Sequence, residues 1–371
     1  MRDLMASLGR LIMLQLRRDE RGAIGVLVAI LLGAGVLTGI GALVIDVGQI
    51  YQERSELQNG ADAAALGVAK SCALGSCTPT VAAQLAESNA SSLTGGNAAV
   101  DLVCGSGGLG SCPPSTGAIT SCPPAPNGAS NFVEVETSTL TSKGGTLLPP
   151  VFARTLLGNS SFQGTNVRAC AQAKWGAPAA ATTAALTISA CEWDQATQQG
   201  AVFAPAPPYP PDPTPAASFD QVLTPDPGNG NGCATEPAGD DAAGTFGWTA
   251  DPTGTCNLSV GGPTFAGSAG GSMSPACQAA LQTAQQLRTP ILVPIYASFN
   301  GAYTLQGFAD FVVTGYNLPG FPAAADWLDP ANSSCLGAAS CLNGYFVQGL
   351  IPSTGSISGP YLGASEIDLT G

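Results

Sequence analysis

Residues 22–45 read GAIGVLVAILLGAGVLTGIGALVI, 24 positions without a charge. At about 1.5 Å of rise per residue, a helix of that length runs roughly 36 Å, enough to cross the hydrocarbon core of a bilayer. Apolar residues then continue at helical spacing. Val47, Ile50, Tyr51, Leu57, Ala61, Ala64 and Val68 share one face, with Glu53, Arg54 and Glu56 on the other. The pattern predicts one unbroken helix to Lys70, about 70 Å from Gly22. Upstream, Leu4, Met5, Leu8, Leu11 and Ile12 also fall on one helical face. Residues 1–21 therefore read either as a short helix lying on a membrane surface or as a fraying tail.

Beyond Lys70 the periodicity changes. Residues 81–90 return briefly to helical spacing, while 131–139 (NFVEVETST) and 166–175 (NVRACAQAKW) alternate as half-exposed strands. Residues 147–157 have room for a short helix after Pro149 and Pro150. Residues 185–193 (ALTISACEW) read as a buried strand, and 277–288 (CQAALQTAQQLR) as a helix with Ala280, Leu281, Ala284 and Leu287 on one face. Residues 290–297, 303–314 and 345–350 read as strands rich in aliphatic and aromatic side chains, and 366–369 as a last edge strand. The proline-dense stretch FAPAPPYPPDPTPAA (203–217) reads as polyproline II or an irregular surface arm. The expected fold class is α+β. A long, pilin-like N-terminal transmembrane helix leads into a disulfide-bonded, β-rich extracytoplasmic region of two lobes, 71–175 and 176–371.

Charge orients this plan. Arg17, Arg18 and Arg21 precede the apolar run and Asp46 follows it. Basic residues are retained on the cytoplasmic side, so 1–21 read as a cytoplasmic tail, 22–45 as the span and 46–70 as its outer extension. A cleaved signal peptide has an apolar core of about 7–15 residues and ends in an A-x-A pattern; this segment is longer and lacks that ending. The chain's net charge is −13. Its first 21 residues carry +2, so the remainder carries −15. Such a surface repels phosphate backbones, which excludes nucleic acid as a partner. All twelve cysteines follow the apolar run, an even number on the side where disulfides persist.

Candidate chemistry is sparse. Cys72–Cys77 and Cys335–Cys341 are close enough in sequence to be local bridges; the other eight cysteines cannot be paired from one sequence. With no histidine and no C-x-x-C, a metal cluster is disfavoured, and neither a metal nor a cofactor is expected. Missing histidine also removes the usual general base. No G-x-S-x-G, H-E-x-x-H or phosphate loop occurs, so no catalytic residue is assigned and the chain is not read as an enzyme. Asp240-Asp241, and Glu134 with Glu136, are carboxylate pairs of the kind a glycosidase uses, but they read as solvated surface on so acidic a chain. Trp175, Trp193, Trp248 and Trp327 could stack on sugar or serve in the core. Within the apolar run, Gly25, Ala29 and Gly33 recur at steps of four, as do Gly35 and Gly39 on another face. Small residues at that spacing let membrane helices approach closely, although glycine is also ordinary there.

The stretch RDERGAIGVLVAILL, followed by VIDVGQIYQERSELQNGADAAALGVA, resembles the N-terminal signature of TadE/TadG-like proteins, which are associated with assembly of bacterial Flp (Tad) pili. The residues carrying the resemblance are Arg21 and Gly22 at the start, Asp46 and Gly48 at the exit, and Leu57, Gln58, Asn59, Ala61, Asp62, Ala63 and Ala64 beyond. The segments CEWDQAT, PILVPIY, YTLQGFADFVVTGY and CLNGYFVQGL are similar to segments of TadG-like proteins with a large outer region. The resemblance implies a non-enzymatic, single-pass component of pilus assembly in the bacterial cell membrane, pseudopilin-like or an envelope scaffold. Its partners would be other pilus-assembly membrane proteins, met through the span, and an envelope or surface ligand met by the lobes. Type IV prepilins carry Glu at the fifth position after their cleavage site. Cutting after Gly22 would place Leu27 there, so the resemblance implies an uncut accessory protein. The Asp-x-Ser-x-Ser metal loop of larger TadG-like proteins has no match, so no magnesium site is expected. The alternative is a membrane-tethered adhesin or carbohydrate-binding protein unconnected with pili.

Overall fold

The computed structural model describes residues 24–33, 35–90, 96–114, 122–125, 131–152, 154, 163–207, 214–224, 233, 246–268, 273–329, 335 and 340–370. The expected cytoplasmic tail, with Arg21 and Gly22, lies outside them, as do residues 153 and 155–157 of the stretch 147–157 expected to hold a short helix; residues 147–152 are not helical.

The apolar run does not form one rod. Residues 24–33 are helical (α1), and a second helix, α2 (Val36–Ala73), follows. Gly35 separates them at φ 72, a left-handed conformation open chiefly to glycine. Its N–H turns back to the Leu32 carbonyl at 3.2 Å, while its own carbonyl accepts from Gly39 at 2.7 Å. The break divides the charge-free run, and α2 joins the second part of that run to a polar extension. Among the described residues, no helix is long and apolar enough to cross a membrane.

The other elements of the first part are α3 (Val81–Asn89), β1 (Asn97–Gly105), β2 (Phe132–Leu140) and β3 (Arg168–Gly176). There follow β4 (Ala181–Ala184), β5 (Leu186–Ser189), α4 (Ala190–Thr197), α5 (Thr214–Ala217), β6 (Gln221–Leu223), β7 (Phe246–Trp248), β8 (Asn257–Val260) and β9 (Thr264–Phe265). The chain ends with α6 (Pro275–Leu287), β10 (Ile291–Phe299), β11 (Tyr303–Asn317), β12 (Cys341–Val347), β13 (Gly349–Leu350) and β14 (Ala364–Leu369).

A five-stranded sheet in the order β1-β2-β3-β14-β13 carries the second half of α2. Leu57, Ala61, Ala64, Ala65, Val68 and Ala69 are buried against Val133, Val135, Ala169, Ala171 and Ala173. Small side chains on both surfaces let the helix lie close to the strands. α3 folds back on α2 so tightly that a Cβ on Gly60 would stand 2.9 Å from the Ala86 carbonyl oxygen and the Ala90 methyl. β14 runs antiparallel to β3, with Ile367 opposite Trp175 and Lys174 paired with Asp368 at 3.5 Å, so the chain's last strand is tied to the first sheet.

A seven-stranded sheet holds the second core, in the order β6-β12-β11-β10-β5-β7 with β9 beside β11. Ile188, Phe246, Ile295, Phe311, Val313 and Phe346 fill it. The expected strand over 185–193 stops at Ser189, and Ala190–Thr197 is helix instead. Ser189 caps that helix by accepting the Glu192 N–H at 3.2 Å, and Ser-x-x-Glu is the capping-box spacing. Ser274 does the same for α6, accepting from Cys277 N with Pro275 in the first turn.

Six disulfides join Cys72–Cys77, Cys104–Cys112, Cys122–Cys170, Cys191–Cys233, Cys256–Cys277 and Cys335–Cys341. They account for all twelve cysteines.

Candidate functional site

α1 and the first half of α2 present apolar side chains that the described residues leave largely uncovered. Ile24, Leu27, Ile30, Ile40, Leu43 and Val44 are each more than half exposed. A Cβ on Gly25 or Gly33 would meet nothing within 4 Å. Ala29 is likewise exposed, and Gly35 and Gly39 are half-buried. The small positions singled out in the apolar run thus have room for a neighbour from outside the chain.

Asp46 ties the helix to the head, although Val47, Ile50 and Tyr51 beyond it are still exposed. Its carboxylate turns away from water, with the residue 8% exposed. Oδ1 accepts the backbone N–H of Val151 at 2.9 Å and of Phe152 at 3.1 Å. That fixes the head to the helix across 105 residues of sequence. Leu147, Val151 and Phe152 around this clasp are themselves exposed. Gly48 has open space beside it.

The remaining signature residues seat the helix. Leu57 is buried, and its carbonyl accepts from Thr137 Oγ1 at 3.1 Å. Gln58 donates to the Cys170 carbonyl at 2.9 Å and to Asp62 Oδ1 at 2.8 Å. Ala61 and Ala64 are fully buried, Asp62 and Ala63 half-buried, and Asn59 exposed. Glu53, expected on the polar face, is fully buried. It lies seven residues after Asp46 and four before Leu57, on the face turned to the head.

The acidic candidates do not assemble into a catalytic pair. Glu134 is buried, and its Oε2 accepts from Gln172 Nε2 at 2.7 Å. Burial raises its carboxyl above the usual range, helped by the charge of Glu136 and opposed by the Gln172 hydrogen bond. Glu136 pairs with Arg168 at 3.5 Å. Cysteine sulfurs do surround Glu134, but all of them are already in bridges and so are not thiolate ligands. Asp240 and Asp241 lie outside the described residues. Trp193 donates its indole N–H to the Leu362 carbonyl at 2.8 Å, and Trp327 donates to the Val313 carbonyl at 3.2 Å beneath the Arg288 guanidinium. Trp248 meets Phe246 edge-on. Trp248 also borders a small cavity beside Asp251 and Ser274, and Trp175 lines a larger cleft between the end of α2 and the strands from Gln348 onward.

Two carboxyls in the second core carry no signal in the sequence pattern. Asp220, pushed up to about 8 by burial and by its hydrogen bond to the charged Asp326, also accepts from Thr314 Oγ1 at 2.8 Å. Burial pushes Asp326 up as well, but hydrogen bonds from Asp220, Asn343 and the Leu328 and Asp329 amides outweigh it and hold Asp326 below the usual range. Asp310 on β11 is pushed up to about 7 by burial.

Residues 22–71 match the model of a family described as "Putative Flp pilus-assembly TadE/G-like". The matched segment holds the bare helix, Asp46 and the seat on the sheet. No curated protein matches the chain, and no solved structure does.

Proposed function

We propose, taking the TadE/G-like match over residues 22–71 as the premise, that this chain is a non-enzymatic, membrane-anchored component of Flp/Tad-type pilus assembly. The bare apolar helices between Ile24 and Ile45 lie in the membrane, broken at Gly35 as glycine allows in lipid, and the two sheets stand outside it. Tad-machine helices associate with the span at Gly25, Ala29 and Gly33, which the described residues leave open. The head acts as a scaffold or pseudopilin-like unit.

One observation supports the reading most. A single helix carries large exposed aliphatic side chains before Asp46 and buried alanines after Leu57, and the family match spans both parts. Uncovered apolar surface of that extent needs lipid or protein around it. Leu147, Val151 and Phe152 stand at the same level as Asp46 and suit contact with the bilayer interface.

The test is deletion and complementation. Surface pili, counted by electron microscopy, should disappear on deletion and return with the full chain. They should not return with a chain carrying Leu27→Asp, Ile30→Asp and Val44→Asp. Undiminished pili in the deletion strain would overturn the proposal. Protease added to spheroplasts should remove the cysteine-rich lobes; their protection would overturn the topology.

A further inference from the structure

A cleft of about 620 Å³ opens beside the five-stranded sheet, bounded by the Cys72–Cys77 turn, the end of β3 and the loop leading into β14. That volume lies in the range of small-ligand sites. No Asp, Glu, Lys or Arg lines it, although the chain carries a net −13. Its chemistry is neutral: two aromatic rings, two side-chain amides, two serine hydroxyls and the Tyr361 phenol.

Those groups are placed to receive something. Ser365 on β14 is 1% exposed, and its Oγ has no hydrogen-bond partner among the described residues. A hydroxyl left so at the wall of a cleft is destabilising unless a ligand or water satisfies it. The Trp175 indole N–H makes no hydrogen bond to the described residues either. Tyr361 accepts from Gln348 Nε2 at 2.8 Å, which leaves its own O–H free to donate. The Tyr361 ring is 40% exposed and is propped edge-on by Phe203 at 6.2 Å. Gly107, at φ 69, lets its loop close over Trp175, because a Cβ there would stand 3.3 Å from the ring and 3.0 Å from Cys77 Sγ.

Main-chain groups at the rim are already used. Ala179 N donates to the Ser356 carbonyl at 2.8 Å, Gly359 N to Ala177 at 3.1 Å, and Trp175 N to Asn131 at 3.3 Å. An extended peptide would need such groups unpaired. What stays open is side-chain hydroxyl, amide and aromatic face. Sugars take that set, their C–H faces resting on rings and their hydroxyls both donating and accepting.

We infer that this cleft binds a neutral oligosaccharide, with the exposed Tyr361 ring as its aromatic wall and Ser365 as the buried hydrogen-bonding group. The site lies in the outer lobes and does not depend on the pilus role.

Saturation-transfer NMR on the full chain tests it, in a zwitterionic detergent because alkyl glycosides would compete. The probes are chitotriose, maltotriose, trigalacturonate and trialanine. At least one neutral trisaccharide should bind saturably, and trigalacturonate at least tenfold more weakly. Tyr361→Ala should weaken binding at least tenfold and Ser365→Ala about fivefold, both with unfolding temperatures within a few degrees of the parent. If Tyr361→Ala misfolds, Ser365→Ala and Asn131→Ala carry the test. No saturable trisaccharide binding, binding unchanged in the folded variants, or tighter binding of trialanine or trigalacturonate would each overturn the inference.

Discussion

The two cores of the molecule are built from different materials. Twelve of the nineteen buried residues in the helix-on-sheet core are alanine, whereas the core of the seven-stranded sheet has one alanine among sixteen and five aromatic residues. Geometry explains the contrast. A helix lying flat on a sheet through alanine brings two backbones close, and large side chains would lift it off. In the second core α6 lies against β11 through Leu281, and rings such as Phe311 against Phe346 at 5.1 Å fill much of the space. The first core is specified by smallness and the second by bulk, so opposite substitutions should damage them.

The largest expected effect removes bulk. Phe311 is 1% exposed, and Phe311→Ala should cost about 3–5 kcal/mol, read as a fall in the denaturant midpoint. The reverse change belongs to the first core. Ala64→Leu, at a fully buried position facing the sheet, should cost about 1–3 kcal/mol through overpacking. Leu43→Ala, 62% exposed, should leave the midpoint of the detergent-solubilised protein unchanged. Equal sensitivity of both cores to added and removed volume would break the comparison.

Protonation sharpens it. Asp220 and Asp310 belong to the second sheet and have carboxyls raised to about 8 and about 7. Each keeps its proton in the folded state at a pH where the unfolded chain has lost it. Their contribution is therefore complete below about pH 4 and declines as pH rises toward 7–8. Unfolding free energy should fall by on the order of 1 kcal/mol per pH unit for each group across that window. Asp310→Asn should flatten part of the slope. Stability rising from pH 5 to pH 8 with a steeper slope in Asp310→Asn would refute the assignment.

Much of this contrast is legible along the chain. The strands β2 and β3, the helix α6 and the apolar runs of β10 and β11 all appear within a few residues of where the pattern puts them, but β2 is buried on both faces rather than half-exposed, and α6 buries Cys277, Leu281 and Ala284 while Ala280 and Leu287 are exposed. What escapes has identifiable causes. β1 carries a register shift between Val100 and Leu102, which breaks the period-two signal. CEW looks strand-like, but Ser189 and Glu192 three residues apart start a helix, a signal present in the sequence. The break at Gly35 turns on one backbone angle, and a glycine in an apolar run does not announce it. The cleft at Trp175 gathers residues from Cys72 to Ser365, and no local pattern encodes that assembly. Periodicity reports which face a residue takes; it is silent on which distant segment meets that face.

The smallest expected effect tests the border between the bare and seated parts of the helix. Asp46 holds the Val151 and Phe152 amides to the helix at 2.9 and 3.1 Å. Asp46→Ala removes both acceptors, yet the loop it releases is already half in water, so the global loss should be only about 1 kcal/mol. The local consequence should be larger. Hydrogen exchange at the Val151 and Phe152 amides should accelerate at least tenfold, while amides in β2 and β3 keep their protection. Asp46→Asn keeps one acceptor oxygen and should fall between the parent and Asp46→Ala. Unchanged exchange at both amides in Asp46→Ala would mean that the clasp does not hold the loop, and the border would have to be sought nearer Leu57, where burial becomes continuous.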